Sequence, residues 1–369
     1  MSGLILVAAG GTGGHVFPAQ ALAAELGRRG RKHGFITDRR GAEFHTDYHG
    51  GEVYRVSAAA VTGRGVTGRL RGLAAIAVGI FQARRLLRRL RPAGVVGFGG
   101  YASVPAVLAA AQLGLPTAIH EQNAVLGRAN RLLAPRVRAI ATAFADVARL
   151  SDADRGKAEQ TGNPVRAAVA SLAMTPYPAP QQNESLSILV TGGSQGAAVM
   201  TQVVPGALSS LPGSPRRRLR VVQQCRPEQI DAARAIYHAA GIEAELATFF
   251  DDMPERLAAA QLVIARAGAS TVAELTAAGR PAILVPLPSA ADDHQTANAR
   301  AIHDAGGGWL MAENDFTGPA LTARIGDFLD QPGQLAEAAA KALALGIPDA
   351  AERLAGFVEG CMPLGEIAA

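Results

Sequence analysis

Cysteine is scarce in this chain of 369 residues, which contains only Cys225 and Cys361. They lie far apart and match neither the CxxC spacing of a metal site nor a disulfide framework, so the chain fits a reducing compartment. Long apolar runs are also missing, because the stretch from Leu73 to Phe81 is well under the roughly 20 residues that span a bilayer. The chain enters an apolar segment at Leu4 without a basic leader. We therefore expect a cytosolic protein whose contact with any membrane is peripheral.

Acidic residues are absent between Glu52 and Glu121, although the whole chain has 31 of them. Arginines recur through the same interval, at Arg55, Arg64, Arg69, Arg71, Arg84, Arg85, Arg88, Arg89 and Arg91. The net charge of +5 and the pI near 9.6 suit a nucleic acid, an anionic membrane or a phosphorylated substrate. Aromatic residues make up only 5% of the chain and no recognised nucleic-acid-binding module occurs, so we expect no nucleic acid partner.

One part of this interval predicts an amphipathic helix. Its residues at helical spacing are the apolar Leu73, Ile76, Ile80 and Phe81 and the basic Arg84, Arg85, Arg88 and Arg89. In a membrane-surface helix the apolar side chains enter the interface while the arginines meet anionic head groups. We favour an anionic membrane surface as the partner of this segment. A helix that faces the core and has a solvated outer face is the alternative.

Short apolar runs rich in β-branched residues alternate with longer stretches rich in alanine and leucine. This alternation is typical of a parallel sheet covered by helices. The predicted strands are Leu4–Ala8, Gly94–Phe98, Thr117–His120, Ala139–Thr142, Ser187–Thr191, Arg220–Gln224, Leu262–Ala265 and Ala282–Val285. The predicted fold class is therefore α/β.

An internal repeat divides the chain. The segment Leu6–Gly14 recurs as Ile188–Gly196, and each copy runs from an apolar strand through a glycine turn into a helix. Two such copies predict two Rossmann-like, doubly wound domains in tandem. The ligand of such a protein is expected in a cleft at the carboxyl ends of the strands, so residues at strand ends carry the most weight.

Turn residues mark the connection between the two copies. Gly162–Pro164 predicts a turn, and prolines recur between Met174 and Asn183. We therefore predict an N-terminal domain over residues 1–162 and a C-terminal domain over residues 163–345.

The glycine turns Gly10–His15 and Gly192–Ala197 favour anion binding. Glycines such as Gly13 and Gly14 let backbone N–H groups approach a phosphate or a sugar at the positive end of a helix. Ser194 adds a hydroxyl that suits a pyrophosphate. The spacing is not the G-x-G-x-x-G of dinucleotide-binding proteins, and neither turn has the Lys-Ser/Thr pair of a P-loop. Dehydrogenase and ATPase functions are therefore disfavoured.

Two candidate bases lie in the N-terminal domain. His15 has no counterpart in the repeat, where Ala197 stands, and an imidazole suits proton transfer near neutral pH. Glu121 directly follows a predicted strand, where its carboxylate can act as a base or orient a hydroxyl. Asn123, two residues further on, can bond a sugar. A helix-start histidine held by backbone and an ordinary loop around Glu121 are the alternatives.

The C-terminal domain contains a helix start with anion-binding character. Gly268 makes a turn after a predicted strand, and Ser270 or Thr271 can cap the next helix while facing an anion. Glu274 falls about one turn into that helix, where a carboxylate can accept both hydroxyls of a ribose. Plain capping, without a ligand, is the alternative.

A polar cluster follows the last predicted strand and contains His294 and Gln295. Amides and short polar groups make the directional hydrogen bonds that distinguish sugar hydroxyls. Asp292, Asp293 and His294 together also suggest a metal, but no further carboxylate or histidine pair has ligand spacing nearby. We therefore predict neither a metal site nor a cofactor.

The joint order of these motifs resembles the MurG family of N-acetylglucosaminyltransferases, which act in peptidoglycan precursor synthesis. The matching segments are Gly10–Ala19, Gly97–Tyr101, His120–Asn123, Gly162–Arg166, Gly192–Ala197, Phe250–Met253, Ser270–Glu274 and His294–Asn298. They span nearly the whole chain. Ala267 and Val104 depart from the family pattern, which has serine and glycine at these positions.

The resemblance implies a GT-B-type fold in which the first domain handles the acceptor and the membrane while the second binds UDP-N-acetylglucosamine. It also implies a C-terminal helix, within about 346–369, that packs back on the first domain. The implied reaction is inverting and occurs at the cytoplasmic face of the inner membrane. In that reaction the 4-hydroxyl of the sugar in undecaprenyl-pyrophosphoryl-N-acetylmuramyl-pentapeptide displaces UDP and forms a β-1,4 linkage.

Individual residues receive roles from the same resemblance. The donor would contact Thr12, Gly13 and Gly14, and its sugar would bond Asn123 and Gln295, with His294 adjacent. The diphosphate would be held by Arg166 and Ser194, and the uracil would lie at Phe250. Phosphate and ribose would be lined by Ala269, Ser270, Thr271, Val272, Ala273 and Glu274. We prefer His15 as the base or acceptor-positioning group and Glu121 as the second candidate, although the resemblance does not settle which accepts the proton.

Other functions fit the same architecture. A UDP-sugar 2-epimerase would need acid and base groups on both sides of one sugar and no membrane patch, so the arginine segment argues against it. A transferase to another lipid acceptor, such as diacylglycerol, would differ only in the first domain. A non-enzymatic binding protein would need no base, so loss of His15 and Glu121 would leave it unaffected.

Overall fold

The computed structural model describes residues 3–10, 13–38, 50–58, 66–193 and 197–362. Contacts divide the chain into two compact units. The N-terminal unit comprises Met1–Arg166 and Asp349–Ala369, and the C-terminal unit comprises Ala167–Pro348. Each unit is built on a parallel sheet of its own.

The sheet of the N-terminal unit has seven strands among the described residues, in the order β3-β2-β1-β4-β5-β6-β7. The strands are β1 (Ile5–Ala8), β2 (His33–Thr37), β3 (Glu52–Arg55), β4 (Gly94–Gly97), β5 (Thr117–Glu121), β6 (Ala139–Thr142) and β7 (Ala158–Gln160). The helices of this unit are α1 (Gly13–Arg28), α2 (Val66–Leu90), α3 (Gly100–Gln112), α4 (Arg128–Leu133), α5 (Asp152–Arg155) and α15 (Ala350–Cys361). A 3₁₀ turn spans Ala134–Arg136.

The sheet of the C-terminal unit has six strands within its described part, in the order β10-β9-β8-β11-β12-β13. The strands are β8 (Leu186–Thr191), β9 (Leu219–Gln224), β10 (Glu243–Ala247), β11 (Leu262–Ala265), β12 (Ala282–Leu284) and β13 (Gly308–Leu310). The helices are α6 (Ala167–Ala170), α7 (Ala198–Ser209), α8 (Gly213–Arg216), α9 (Ile230–Ala240), α10 (Met253–Ala259), α11 (Ala269–Ala277), α12 (His294–Asp304), α13 (Gly318–Asp330) and α14 (Gly333–Leu345). The 3₁₀ turns are Ser171–Met174, Pro227–Gln229 and Ala291–Asp293.

Both sheets are wound in the same way. Numbered from the first strand of each unit, the order is 3-2-1-4-5-6, and the N-terminal sheet adds one strand. The winding reverses between β1 and β4 and again between β8 and β11. Ligands of open α/β sheets bind beyond the carboxyl ends of the strands at such a reversal. The predicted class, α/β with two doubly wound sheets, is confirmed, and the topology directs attention to the turns after these four strands.

The central strand β1 shows why this segment becomes the middle of a sheet. Its side chains alternate between two faces, and all four are fully buried. Ile5 and Val7 join the cluster formed with α1 and α15, whereas Leu6 and Ala8 join the cluster formed with α3. A strand that is covered on both faces is apolar at every position, which produces the continuous apolar run in the sequence.

The eight predicted strands are all present, and the strands that the sequence analysis missed are mostly edge strands. The missed strands are β2, β3, β7, β10 and β13. The edge strands β3, β7 and β10 carry exposed polar residues such as Glu52, Glu159 and Glu243. Because their outer positions are solvated, these strands lack the apolar runs that mark buried strands.

The long helix α2 has a different outer face from the predicted one. Ile76 and Ile80 pack against the core of the N-terminal unit, whereas Phe81 is 70% exposed. Grouping them on one outward face was therefore wrong, since five residues along a helix turn a side chain by roughly 140°. Val78, which is 50% exposed, shares the outer face with Phe81. The predicted Leu73 is not among the residues whose side chains the structure describes. Among the described residues, no helix is long and apolar enough to cross a bilayer.

Helix α15 belongs to the N-terminal unit although it lies at the far end of the chain. Leu354 and Val358 are fully buried in the cluster that also contains Ile5 and Val7. Glu359 binds Arg29 at 2.9 Å and Arg31 at 2.6 Å. Burial opposes ionisation of Glu359, but the hydrogen bonds from these two arginines outweigh it and hold its pKa below the usual value. Apolar packing and a partly buried ion-pair cluster together attach the helix.

The packing of α15 generates a stability prediction. Leu354→Ala leaves a cavity against β1, so the free energy of unfolding of the N-terminal unit should fall by about 2–5 kcal/mol. Urea unfolding followed by circular dichroism measures the change. Leu132→Ala on α4 is the matched control, because Leu132 is 44% exposed and its loss should cost under about 0.5 kcal/mol. Equal effects of the two substitutions would contradict the docking of α15 on this unit.

Candidate active site

The winding reversal of the N-terminal unit brings the turns after β1 and β4 together around His15. This residue lies in the first turn of α1, and Gly99 and Gly100 lie at the start of α3. A Cβ atom on Gly99 would lie 3.5 Å from the imidazole of His15, and one on Gly100 would lie 3.2 Å from it. Both glycines have φ near +70°, at 77° and 67°, which L side chains rarely adopt. The glycine turn after β4 therefore leaves space for the histidine of the turn after β1.

Gln122, directly after β5, connects this histidine to the sheet. Its Oε1 lies 3.2 Å from Nδ1 of His15, and its Nε2 donates to the carbonyl oxygen of Phe98 at 3.0 Å. The same Nε2 lies 3.1 Å from Nδ1 of His120. Gln122 is only 1% exposed, so these contacts replace water around its amide. The sequence analysis quoted Gln122 within a motif but assigned it no role.

His120 is a buried neutral histidine. Its ring is fully buried and lies 5.3 Å, centroid to centroid, from the ring of Phe98. Nε2 lies 2.8 Å from the carbonyl oxygen of Gly162, so it carries the proton and donates. Burial lowers the pKa of His120 to about 4, although the bond to Gly162 opposes this, and the charge of His15 lowers it further. The side chain is therefore uncharged near neutral pH.

Glu121, the second candidate base, holds the loop that follows β5. Its Oε1 accepts from the backbone N–H and the side-chain amide of Asn123, at 3.0 and 3.2 Å. Its Oε2 accepts from the N–H of Gly127 at 2.9 Å and from Nδ2 of Asn130 at 2.8 Å. The residue is 2% exposed. These four donors occupy both oxygens, which favours an anchoring role for Glu121 and leaves His15 as the better candidate for proton transfer.

The other predicted residues of the N-terminal unit lie at the start of a helix, just before a helix or just after a strand. Gly13 and Gly14 open α1, where the first N–H groups of the helix have no partner within the helix. Asn123 lies two residues beyond β5 and is half-buried. Arg166 is exposed and directly precedes α6. Thr12 lies outside the described residues.

In the C-terminal unit a chain of hydrogen bonds shapes the glycine turn after β8. The Oγ1 of Thr191 accepts from the N–H of Gly193 at 3.3 Å and donates to Oε1 of Gln224 at 3.0 Å. Nε2 of Gln224 donates to the carbonyl oxygen of Thr248 at 3.2 Å. The ends of three strands, β8, β9 and β10, are therefore linked beside the turn. Ser194, the predicted diphosphate ligand, lies outside the described residues.

The turn after β11 leads directly into α11, which begins at Ala269. Gly268 precedes it in extended conformation, with φ −64° and ψ 148°. The Oγ of Ser270 is buried and has no hydrogen-bond partner among the described residues. A buried hydroxyl without a partner, in the first turn of a nine-residue helix, suits an anionic ligand that the N–H groups also contact. The predicted donor residues Ala269, Ser270, Thr271, Val272, Ala273 and Glu274 all lie in the first two turns of this helix.

The start of α12 fixes the loops after β11 and β12. The Oε1 of Gln295 accepts from the N–H of Leu287 at 3.0 Å, and Nδ2 of Asn298 donates to the carbonyl oxygen of Ala267 at 3.1 Å. The second bond uses the backbone of Ala267, so it does not depend on the side chain at that position. Nδ1 of His294 donates to the carbonyl oxygen of Ala291 at 2.7 Å. No three metal-ligating side chains cluster within the described part of the chain.

The predicted uracil residue is more buried than its neighbour. Phe250 is 6% exposed and lies beneath Arg256, whose Cζ is 4.0 Å from the ring centre. Glu245 and Asp252 hold that arginine at 2.7 Å. Phe249 is 68% exposed. Glu245 lies within β10, and the other residues follow this strand, at the same edge of the sheet as the turn after β8.

The sequence analysis missed several residues that shape both sites. They are Gln122, Asn130, Gln224 and Arg266. Arg266 donates from Nη1 to the carbonyl oxygens of Val285 and Pro286, each at 3.1 Å, and so ties the end of β11 to the end of β12. A usable signal existed for Gln122 and Gln224, because each is a polar residue at the end of an apolar strand. Asn130, on α4, has no such signal.

Comparisons with known proteins agree with this architecture. Residues 5–142 match the glycosyltransferase family 28 N-terminal domain, and residues 187–354 match the glycosyltransferase family 28 C-terminal domain. Over 361 residues the chain is 56% identical to a UDP-N-acetylglucosamine–N-acetylmuramyl-(pentapeptide) pyrophosphoryl-undecaprenol N-acetylglucosamine transferase of Rhodospirillum centenum. That match covers 98% of this chain and 95% of the relative.

Solved structures extend the comparison. The crystal structure of MurG from Acinetobacter baumannii is similar with a TM-score of 0.80 at 31% identity, covering 97% of this chain and 99% of that one. A UDP-GlcNAc 2-epimerase from Neisseria meningitidis has a TM-score of 0.65 at 13% identity, covering 96% and 98%. The second likeness concerns the fold alone.

The buried neutral His120 generates a prediction about pH and stability. Its pKa is about 4 in the folded protein, against roughly 6.5 for an unfolded histidine, so the unfolded chain binds more protons between these values. Stability from this group is full above about pH 6.5 and is lost as the pH falls toward 4. Relative to His120→Gln, which can still donate to Gly162, the native protein should lose about 1–2 kcal/mol between pH 7.5 and 5. Urea titrations at both pH values measure this difference, and parallel losses would contradict the neutral burial of His120.

Proposed function

Because the chain belongs to glycosyltransferase family 28, we propose that it transfers N-acetylglucosamine from UDP-N-acetylglucosamine to undecaprenyl-pyrophosphoryl-N-acetylmuramyl-pentapeptide in peptidoglycan synthesis. The observation that carries this proposal is the 56% identity, over 98% of the chain, to the transferase of Rhodospirillum centenum. The match runs through both units of the chain, so it supports the reaction as well as the fold.

The reaction is a single displacement. The 4-hydroxyl oxygen of the muramyl sugar forms a bond to C1 of N-acetylglucosamine while the bond from C1 to the diphosphate oxygen breaks. UDP leaves with the electron pair, and the hydroxyl proton goes to a base, so the configuration at C1 inverts. The protein must bind UDP, accept one proton and stabilise the negative charge that develops on the diphosphate.

The C-terminal unit binds UDP-N-acetylglucosamine in this proposal. The first turn of α11 offers unpaired N–H groups, the positive end of the helix and the buried hydroxyl of Ser270 to the diphosphate. Glu274 lies one turn further along α11, and in this proposal its carboxylate accepts hydrogen bonds from the ribose hydroxyls. Gln295 orders the loop after β12 for the sugar. We keep the expected roles of Phe250 at the uracil, of Arg166 and Ser194 at the diphosphate, and of Thr12 as a contact of the donor. We still expect no obligatory metal.

The N-terminal unit handles the acceptor and supplies the base. His15 is our choice for that base, because it lies at the winding reversal between two glycine turns. Glu121 is the second choice, because its oxygens already accept four hydrogen bonds from the loop around it. Asn123 stays close to the donor sugar in this scheme. Its amide group is oriented by Glu121.

The alternatives of an epimerase and of another lipid acceptor are less well supported. The epimerase of Neisseria meningitidis shares the fold at 13% identity, which carries no information on chemistry. A different lipid acceptor would leave the C-terminal unit unchanged. Relatives with high identity along the whole chain, including the N-terminal unit, favour the muramyl acceptor.

The acceptor is anchored in a membrane by its undecaprenyl chain, so the enzyme has to act at the membrane surface. We place it as a peripheral protein at the cytoplasmic face of the inner membrane, with the outer face of α2 as the contact. Val78 and Phe81 are exposed there, and the exposed basic residues among the described side chains of this helix are Arg85, Arg88 and Arg89. Arg84 contributes less, because it is half-buried and donates to Gln112 at 2.6 Å.

A transfer assay tests the activity. With labelled UDP-N-acetylglucosamine and the lipid-linked muramyl-pentapeptide, the native protein should form labelled disaccharide-lipid. His15→Ala should lower kcat roughly 10²- to 10⁴-fold, the usual contribution of a positioned base, while UDP-sugar affinity measured by calorimetry changes little.

Glu121→Gln is the comparison variant. Its main effect should be a lower melting temperature, because a neutral amide accepts fewer of the four hydrogen bonds. An unchanged kcat in His15→Ala would exclude His15 as the base. Tight UDP-sugar binding without any transfer by the native protein would reject the proposed activity.

A vesicle assay tests the membrane surface. The native protein should sediment with vesicles of anionic phosphatidylglycerol and much less with neutral phosphatidylcholine. Phe81→Ser with Arg85→Glu should weaken binding by about tenfold or more, since each basic residue contributes about 1 kcal/mol near such a surface. Leu343→Ser with Arg217→Glu makes the same changes on exposed side chains of the C-terminal unit and should have no effect. Equal binding by both double variants would exclude α2 as the contact.

A further inference from the structure

The proton positions around His15 follow from two backbone carbonyl groups. A carbonyl oxygen can only accept a hydrogen bond. The carbonyl oxygen of Gly162 lies 2.8 Å from Nε2 of His120, so that nitrogen carries the proton. A neutral imidazole has one protonated nitrogen, so Nδ1 of His120 has a lone pair and accepts. Because burial lowers the pKa of His120 to about 4, this arrangement holds at neutral pH.

The amide of Gln122 is oriented by the same reasoning. Its Nε2 lies 3.0 Å from the carbonyl oxygen of Phe98 and 3.3 Å from that of His120. It also lies 3.1 Å from the accepting Nδ1 of His120. All three neighbours are acceptors, so the group that faces them must be the NH₂ end. Exchanging the two ends would place the carbonyl oxygen of Gln122 against three lone pairs.

The remaining end of Gln122 therefore determines the state of His15. Oε1 faces Nδ1 of His15 at 3.2 Å and has lone pairs only. A favourable contact requires a proton on Nδ1 of His15. The neutral ring then has its lone pair on Nε2.

We propose that Gln122 is a positioning residue that holds neutral His15 in the Nδ1–H tautomer and so places the basic lone pair on Nε2. These hydrogen bonds form a chain from Gly162 through His120 and Gln122 to His15. Gly162 determines the tautomer of His120, His120 helps to orient the amide of Gln122, and Gln122 determines the tautomer of His15. A neutral amide thereby orients a histidine without a buried carboxylate, whose charge would be costly to desolvate at this site. The catalytic value of the tautomer rests on the proposed function of His15, but the tautomer itself is measurable without any substrate.

The first experiment uses the native protein. Histidine labelled with ¹⁵N is incorporated, and long-range ¹H–¹⁵N correlation spectra are recorded about two pH units above the ordinary imidazole pKa of roughly 6.5, where neutral rings dominate. The signals of His15 are assigned by their loss in His15→Gln. Nδ1 of His15 should have the ¹⁵N chemical shift of a protonated nitrogen, and Nε2 should have the ¹⁵N chemical shift of an unprotonated nitrogen. The reverse pattern, or an even mixture of tautomers, would overturn the proposal.

The second experiment compares two substitutions of Gln122. Gln122→Met has a similar length but neither donates nor accepts, whereas Gln122→Glu keeps an acceptor toward His15 and loses the donors toward Phe98 and His120. If Gln122 acts through the tautomer, Gln122→Met should give mixed His15 tautomers and a kcat lowered roughly 10- to 100-fold at similar KM for UDP-N-acetylglucosamine. Gln122→Glu should retain the Nδ1–H signal and most of the native kcat.

Controls separate positioning from simple support of the fold. Loss of kcat to the same extent in both variants, with the tautomer of His15 unchanged, would mean that Gln122 only supports the fold and would overturn the proposal. Gln160→Met removes an exposed glutamine from the edge strand β7 of the same sheet and should keep native kcat and the native His15 spectrum. Thermal melting and UDP-sugar binding report whether each variant folds. Even if neither Gln122 variant folds, the spectrum of the native protein decides the tautomer.

The outcomes also distinguish this inference from the proposed function. Full activity in His15→Ala would remove the base from the mechanism, while the spectrum of the native protein would still decide the tautomer. An Nε2–H tautomer in a protein that transfers N-acetylglucosamine normally would overturn the inference and leave the activity standing.

Discussion

The reversal of winding between β1 and β4, and again between β8 and β11, is the constraint on which both candidate sites depend. Parallel strands bring all of their carboxyl ends to one edge of the sheet, and the helices that follow two such neighbours leave toward opposite faces. The turns at the reversal therefore diverge and expose the first N–H groups of the next helices. Glycines at positions 99 and 100 complete this arrangement around His15, because both have positive φ and a Cβ atom on Gly100 would lie 3.2 Å from the imidazole.

Neutral amides then order the turns. Gln122 and Gln224 each use the nitrogen end to hold a backbone carbonyl and the oxygen end to accept from a residue of the neighbouring strand or turn. An amide has one donating and one accepting end, so it imposes a direction on the hydrogen bonds around it. It also avoids the desolvation cost of a buried charge. Both carboxyl oxygens of Glu121 accept hydrogen bonds, and their donors come from the loop after β5 and from α4.

Segments from distant parts of the sequence pack together in the N-terminal unit. Helix α15 covers one face of β1, and Glu359 binds arginines that follow α1. Arg29 also donates to Glu25 of α1. Hydrogen bonds from Arg28 and Arg29 hold the pKa of Glu25 below its usual value, against the effect of burial. The core of the unit that is proposed to handle the acceptor is therefore completed by α15, a helix distant from β1 in the sequence.

The sequence by itself determined the fold class, the repeat of the glycine turns and the family, because strands covered on both faces require continuous apolar runs and turns at strand ends require glycine. It did not determine the edge strands, whose outer positions are solvated and carry polar residues such as Glu52 and Glu243. Nor did it determine which face of α2 is exposed, since Ile76 and Ile80 turn toward the core only through packing on neighbouring elements.

At the candidate active site the division is equally clear. The sequence placed His15, Glu121 and Asn123 at the ends of strands or the start of a helix, and it preferred His15 to Glu121 as the base without settling the choice. Only the tertiary structure showed that both oxygens of Glu121 are occupied and that Gln122 lies between two histidines. The reason is physical: a hydrogen bond depends on which groups from distant segments meet, and residues 15 and 122 meet only once the sheet has formed.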